Sequence, residues 1–404
     1  MKNILILTYW SYNDALIQTY TLPYIKIIRK NLPQGSKVYL LTLEKDGQTL
    51  KSPKRSGIET ALKIDGIEWL PIQYQPFGAL AFFMWILASL KLSVLILRKK
   101  ISVIHCWCTP AGAIGYLLAT LLNRKLVIDS YEPHAEAMVE NGTWSRKSLA
   151  FRLLFWLEKK QTEKAEFIVA ATKGMREYAQ EKYGVSIRQY FVKPACVDLN
   201  LFSVKDIKNE KLLDELNLSG KIVCVYAGKF GGIYLDKEVF DFLKVASEYW
   251  GESFRVLILT GHKRNEIVSF CNSVGLSPDI VISLFVDHKQ VPKYLGLGDF
   301  AITPVKPVNT KRFCTPIKDG EYWALGLPIV IPANISDDSA IIEEKEIGAV
   351  LGHLDDSAYK EAIKRIDNFL RQEPNSRYNK IRAVAEQYRS FEIAEKVYSS
   401  IYGC

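Results

Sequence analysis

At 404 residues the chain is too long for one ordinary core and comfortable for two α/β domains. Its 48% hydrophobic and 24% charged residues exclude a disordered chain. The formal charge of +9 invites a nucleic-acid reading, but the lysines and arginines are scattered and form no recognisable nucleic-acid module. Anionic lipid headgroups or a diphosphate ligand explain that charge better.

The opening MKNILILTYW has one lysine and an apolar run too short for a signal peptide, so it reads as the first buried strand of a cytosolic protein. The loop after it holds Tyr9, Trp10 and Tyr12, aromatics that suit a sugar or lipid-linked acceptor at a cleft rim, or else pack. Strand-length runs at Ile4 to Leu7, Lys37 to Leu43, Ile101 to Cys106, Lys125 to Asp129 and Glu166 to Ala170 alternate with stretches of helical periodicity. That alternation predicts a parallel sheet with crossover helices.

Within this series, Pro76 to Leu97 is the most apolar segment and is followed by Arg98-Lys99-Lys100. Its length is that of a membrane span, about 20 residues. Lys91 and the strand that follows at once argue against spanning. A buried crossover helix remains, as does one whose outer face dips into an anionic lipid interface along Pro76 to Lys100. The seven cysteines are odd in number and several sit in apolar runs, which argues against a disulfide framework. Cys106 and Cys108 share a strand face, but no second Cys or His cluster completes a zinc site, and no Asp-x-Asp pair exists to hold another metal.

A second series of runs begins at Lys221, with Ile222 to Ala227, Arg255 to Leu259, Ile280 to Leu284, Phe300 to Thr303 and Pro328 to Ile331. Lys193 to Asp198 and the charged stretch from Ser203 to Glu215 form the connection between the two. The expected layout is one α/β domain over 1–198, a second over 199–385 and a C-terminal helix over 386–404 that packs back on the first domain. The last amphipathic segments run from Asp356 to Arg371 and from Tyr378 to Tyr402.

The stretch from Asn309 to Pro328 carries the most chemistry. Thr315 is a good N-cap and Pro316 suits a first turn, so a helix is expected to start there and to stop near Gly326. The free amides of that start, around Thr315 and Ile317, favour an anion, and Lys318 in the first turn has the wrong sign for the helix dipole unless an anion binds. Glu321 shares a face with Lys318 and can accept hydrogen bonds from sugar hydroxyls. The alternative is an ordinary surface Lys–Glu pair on an ordinary helix. Upstream, Tyr226-Ala227-Gly228-Lys229 ends a strand with a glycine that lets backbone approach a phosphate and a lysine that supplies charge.

Pro316, Lys318, Glu321, Tyr322, Ala324, Gly326 and Pro328 together resemble the donor-site motif of family-four retaining glycosyltransferases. The resemblance implies an α/β GT-B fold, two Rossmann-like domains with parallel sheets facing across a cleft. It also implies that Glu321 binds the ribose of a nucleotide sugar, that the helix start cradles the diphosphate, and that Lys229 contacts it beside Gly228. Many family members carry a further Glu where this chain has Phe313, so the contact to the transferred sugar shifts to the Asn309 loop. Pro194, Val197, Asp198 and Phe202 are similar to the family's interdomain passage, with Ala195 and Cys196 replacing the usual Asn and Gly. Asp129 to Glu136 resembles the family's Asp-x-His-Glu loop with Tyr131 where His is usual, so either Tyr131 fills that role or His134 reaches in.

The function so implied is metal-independent, retaining transfer of a hexose from a nucleotide-diphosphate sugar to a glycan or lipid-linked acceptor in polysaccharide or glycolipid synthesis. No cofactor is expected, and the expected location is cytoplasmic, peripheral on the inner face of the plasma membrane. The alternatives are a GT-B epimerase or phosphorylase, and a subunit that binds a nucleotide sugar without turnover.

Overall fold

The structure, a computed structural model, describes residues 2–51, 53–74 and 79–403, with the backbone alone for 79–86. It contains two compact units, one of residues 1–193 together with 392–404 and one of residues 194–391. The chain therefore passes between units twice, at Lys193/Pro194 and at Phe391/Glu392, a few residues before and after the expected boundaries at 198 and 385.

The first unit holds β1 (Asn3–Leu7), β2 (Val38–Glu44), β3 (Ile67–Gln73), β4 (Ile101–Trp107), β5 (Lys125–Tyr131), β6 (Phe167–Ala170) and β7 (Tyr190–Val192). They pair in the order β3-β2-β1-β4-β5-β6-β7, all parallel. The central strands are buried almost throughout, as strands covered by helices on both faces must be. The second unit holds β8 (Ile222–Ala227), β9 (Phe254–Leu259), β10 (Val281–Leu284), β11 (Phe300–Ile302), β12 (Ile329–Pro332) and β13 (Gly348–Leu351). Their order is β10-β9-β8-β11-β12-β13, again all parallel.

In each sheet the strand order reverses once, between β1 and β4 and between β8 and β11. Connections leave these neighbours in opposite directions, which opens a crevice beyond their carboxyl ends, the usual ligand place in an open α/β sheet. The loop with Tyr9, Trp10 and Tyr12 follows β1, and Gly228 follows β8.

The single helix expected from Tyr378 to Tyr402 is instead two, Pro374–Arg389 and Phe391–Tyr402. Ser390 between them is extended (ψ 143°) and bridges to Val197, whose amide donates to the Arg389 carbonyl at 2.8 Å. A carbonyl recruited by a strand-like partner cannot also continue the helix ladder. Of the apolar segment expected at a lipid surface, residues 76–78 lie outside the described residues. The remainder includes the helix Ala79–Arg98, and no helix among the described residues is long and apolar enough to cross a membrane.

Candidate active site

The site is built on the connection from β11 to β12. These parallel neighbours are joined through a short 3-10 turn, Asn309–Phe313, and the helix Ile317–Ala324. The helix begins later than expected. Pro316 stands at the N-cap in an extended conformation (ψ 122°), with no side chain capping the first-turn amides. Thr315 is held outside the helix, its hydroxyl 3.4 Å from that of Ser336. The residue before a proline is pushed toward extended backbone, which removes Thr315 from capping geometry. The amides of the first turn, beginning at Ile317, are thus left to something other than a side-chain cap.

Glu321 lies in the next turn and is 3% exposed, which rules out the ordinary surface pair. Lys318, one-third exposed, donates to one oxygen of Glu321 at 2.7 Å, and His288 Nε2 lies 3.9 Å from the other. Burial acts to raise the Glu321 carboxyl, but the Lys318 charge and the His288 contact outweigh it and hold the group below the ordinary carboxylate value. A carboxylate that keeps its charge inside the protein, with a cation and an imidazole beside it, is a hydrogen-bond acceptor ready for hydroxyl donors.

His288 is a site residue that sequence reasoning missed. It sits in the turn after β10, and its ring meets Phe202 edge-on at 6.3 Å. Asp198 makes that contact possible, because its carboxylate accepts the amides of Asn200 and Leu201 and folds the chain so that Phe202 points inward. Arg382 fixes the same passage by donating to the carbonyls of Leu199, Phe202 and Ala324. The interdomain passage and the helix Ile317–Ala324 are therefore tied by one guanidinium. No short-range pattern links His288 to Glu321, so nothing in the sequence flags it.

Tyr322 joins the helix to the glycine loop, its hydroxyl accepting the Ala227 amide at 3.1 Å. One residue on, Gly228 has no room for a side chain, since a Cβ there would overlap the Tyr226 ring and hydroxyl. That hydroxyl folds back to donate to the Lys229 carbonyl at 2.6 Å, leaving the Lys229 side chain exposed at the strand end. Asn309 is exposed at the start of its turn, whereas Phe313 is buried under the Arg312 guanidinium, 4.6 Å from the ring centroid. The Phe313 side chain is a core residue and offers no polar atom to a ligand.

Beneath the helix, burial and the neighbouring Asp338 push the Asp319 carboxyl well up. Thr303 donates to Asp319, and Arg389 pairs with Asp338 while its guanidinium lies over Trp323. This buried cluster supports the first turn from below.

In the first unit, Tyr9 is exposed, Trp10 is half-buried, and Tyr12 packs on Trp69 with ring centroids 5.5 Å apart while its amide donates to Glu44. The expectation that Tyr131 lines the site is corrected. Its side chain is fully buried, with the hydroxyl 2.7 Å from that of Thr162. The strand continues two residues beyond Asp129 and turns Tyr131 inward against the helix Leu149–Lys164. His134 is half-buried at the start of the helix His134–Glu140. Among the described residues no group of three His, Cys, Asp or Glu side chains is arranged to hold a metal ion.

No protein-family model matches the sequence. Alpha-D-kanosaminyltransferase of Streptomyces kanamyceticus is 21% identical over 230 residues, which make up 55% of this chain and 57% of that protein. The chain thus spans little more than half of the curated relative it matches. Among solved structures, sucrose-phosphate synthase of Thermosynechococcus elongatus matches with a TM-score of 0.72 at 15% identity, covering 100% of this chain and 98% of the other. HepE of Anabaena, in complex with UDP-glucose, matches with a TM-score of 0.70 at 16% identity, covering 99% of each chain. At such identities the likeness is one of fold: the chain has the two parallel-sheet α/β units of GT-B structures.

Proposed function

We propose that the protein is a retaining glycosyltransferase that moves a hexose from a nucleotide-diphosphate sugar to a glycan or lipid-linked acceptor in polysaccharide or glycolipid synthesis. The observation that carries this reading is the buried, charged Glu321 beside Lys318, one turn into a helix whose start no side chain caps. The likeness to the UDP-glucose-bound HepE and to a kanosaminyltransferase supports a nucleotide sugar as donor.

In the free protein Lys318 is satisfied by Glu321. When a donor enters, ribose hydroxyls take its place on the carboxylate, and the ammonium turns to the diphosphate at the first-turn amides. Lys229 adds positive charge from the end of β8. As the glycosidic bond breaks, these groups stabilise the negative charge that grows on the departing nucleoside diphosphate, with no metal required. Asn309 and His134 are the contacts proposed for the transferred sugar, and Tyr9, Trp10 and Tyr12 those for the acceptor.

Phe313, buried where many family members carry Glu, favours a second reading, a subunit that binds the donor without turning it over. A thermal-shift screen against UDP, GDP, dTDP and CMP tests the donor site. At about 100 times its dissociation constant the right nucleotide stabilises by roughly 2.7 kcal/mol, and Glu321→Ala cuts the shift to about 0.4–1.4 kcal/mol. Stabilisation by none of the four sinks the donor-site reading. Tight binding of the matching nucleotide sugar, with neither transfer nor hydrolysis, moves the conclusion to the non-catalytic subunit.

A further inference from the structure

The helices Ala79–Arg98, Thr109–Leu121 and Leu149–Lys164 all lie on connections that run the same way across the first sheet, from β3 to β4, β4 to β5 and β5 to β6. Right-handed crossovers place such helices on one face, and the middle helix packs against both others. Their outer surface is unusual for a water-facing layer. Among the described residues, nine of the fifteen exposed large apolar side chains belong to these three helices.

The spacing makes continuous stripes. On the first helix Ala88, Leu92 and Ile96 are buried against the sheet, while Leu87, Leu90, Val94 and Leu97 recur outward at three and four residues. A water-facing helix normally keeps its outer face polar. The middle helix adds Leu117 and Leu121, and the third adds Leu149, Leu153 and Trp156, again one turn apart. Charge completes the pattern, because residues 79–124 contain no Asp or Glu at all, against Lys91, Arg98, Lys99, Lys100 and Arg124. Exposed Lys147, just before the third helix, and Arg152, within it, flank Leu149 and Leu153.

We infer that this three-helix face of the first unit docks on an anionic lipid bilayer, the aliphatic stripes entering the interface and the basic rim meeting the headgroups. Exposed apolar stripes edged by cations, with no acid among residues 79–124, match acyl chains beneath a negative surface. An acidic protein partner would leave the stripes unexplained. The inference stands apart from the nucleotide-binding residues around Glu321, which lie in the second unit.

Flotation of the full chain with phosphatidylcholine vesicles, and with vesicles of phosphatidylcholine and phosphatidylglycerol at about seven to three, tests it. Binding is expected to the second and not the first, weakening as salt rises. Leu153→Gln with Trp156→Gln, and separately Lys147→Glu with Arg152→Glu, lower the partition at least about tenfold, as loss of two interfacial basic residues alone would. Ile64→Gln, an exposed apolar position on a different helix, leaves it unchanged. Because wild-type binding and its salt dependence are read on the unaltered chain, a variant that fails to fold does not rescue the idea. No flotation with either vesicle overturns it, as does equal flotation of both double variants. A dimer in light scattering that the same variants dissolve would assign the face to a second copy of the chain instead.

Discussion

Glu321 stays charged because Lys318 and His288 together outweigh the penalty of burying it. The two neighbours contribute differently to a pH profile. A carboxyl lowered in the folded protein remains ionised until the pH drops through its own depressed value, so affinity for a nucleotide sugar is expected to stay flat from pH 8 into the mildly acidic range. His288→Leu removes one of the opposing influences, the Glu321 carboxyl titrates higher, and the acid loss of binding begins at a higher pH than in the wild type. Calorimetric titration with the nucleotide sugar between pH 4.5 and 8 checks this; superimposable profiles would show that His288 does not act through Glu321. Glu321→Ala is expected to weaken the donor about ten- to a hundredfold, the range for one hydrogen bond to a charged group.

Of these residues, Lys318 and Glu321 were legible because a helix brings positions three apart together. His288 was not, because its approach depends on Phe202 and the fold of the interdomain passage. Tyr131 shows the opposite failure: a loop read from its neighbours in sequence proved to be strand, and a strand residue two beyond Asp129 turns inward rather than toward a ligand.

At the level of elements, the strands that sequence reading missed, β3, β7 and β13, are all edge strands. A central strand is buried on both faces and announces itself as an apolar run, but an edge strand need not be. β3 carries Glu68 and Pro71, tolerable because only β2 pairs with it, and β7 is three residues long. The helix Leu149–Lys164 shows a second kind of hidden information. Its Glu158, wholly buried, accepts the Ala135 amide at 2.9 Å and the Tyr183 hydroxyl at 3.0 Å, and so pins the start of the helix His134–Glu140. Burial raises this carboxyl from an ordinary 4.5 to about 8 despite those donors. The folded protein then holds a proton that the unfolded chain releases above about 4.5. Its stabilising contribution is complete below that pH and is lost as the pH rises through 8, on the order of 1 kcal/mol per pH unit in between. Glu158→Gln keeps the shape without the titration. Urea unfolding at pH 5, 6.5 and 8 is expected to show the slope in the wild type and a flatter dependence in the variant.

For the whole molecule, the second crossing between units places the last residues of the chain in the first unit, where they close a buried polar cluster. Tyr398 donates to Asp129 at 2.6 Å, Tyr402 lies 2.6 Å from His105 Nδ1, and the Lys193 ammonium sits 3.3 Å from Asp129 and 3.7 Å from the centroid of the Tyr24 ring. Burial opposes the Asp129 charge, but Lys193, His105 and Tyr398 hold the carboxyl down to about 2. The sign is the reverse of that for Glu158. Stability from Asp129 is fully present above the ordinary carboxylate value near 3.8 and fades as the pH falls toward 2.

Lys193 is the last residue of the first unit before the chain first leaves it, so both crossings are anchored at the same cluster. Deleting residues 392–404 strips Asp129 and His105 of their tyrosine partners and opens the charged pair to water. Asp129→Asn leaves Lys193 buried without its counterion, and removing one partner of a buried pair destabilises by about 3–5 kcal/mol. Both changes act on the first unit alone. Calorimetry of the full-length Asp129→Asn chain is therefore expected to show a transition that moves down in temperature and a second, the one that nucleotide raises, that stays in place. If the nucleotide-sensitive transition falls by the same amount, the two units melt as one cooperative body, and the cluster around Asp129 stabilises the donor helix as much as the sheet that contains it.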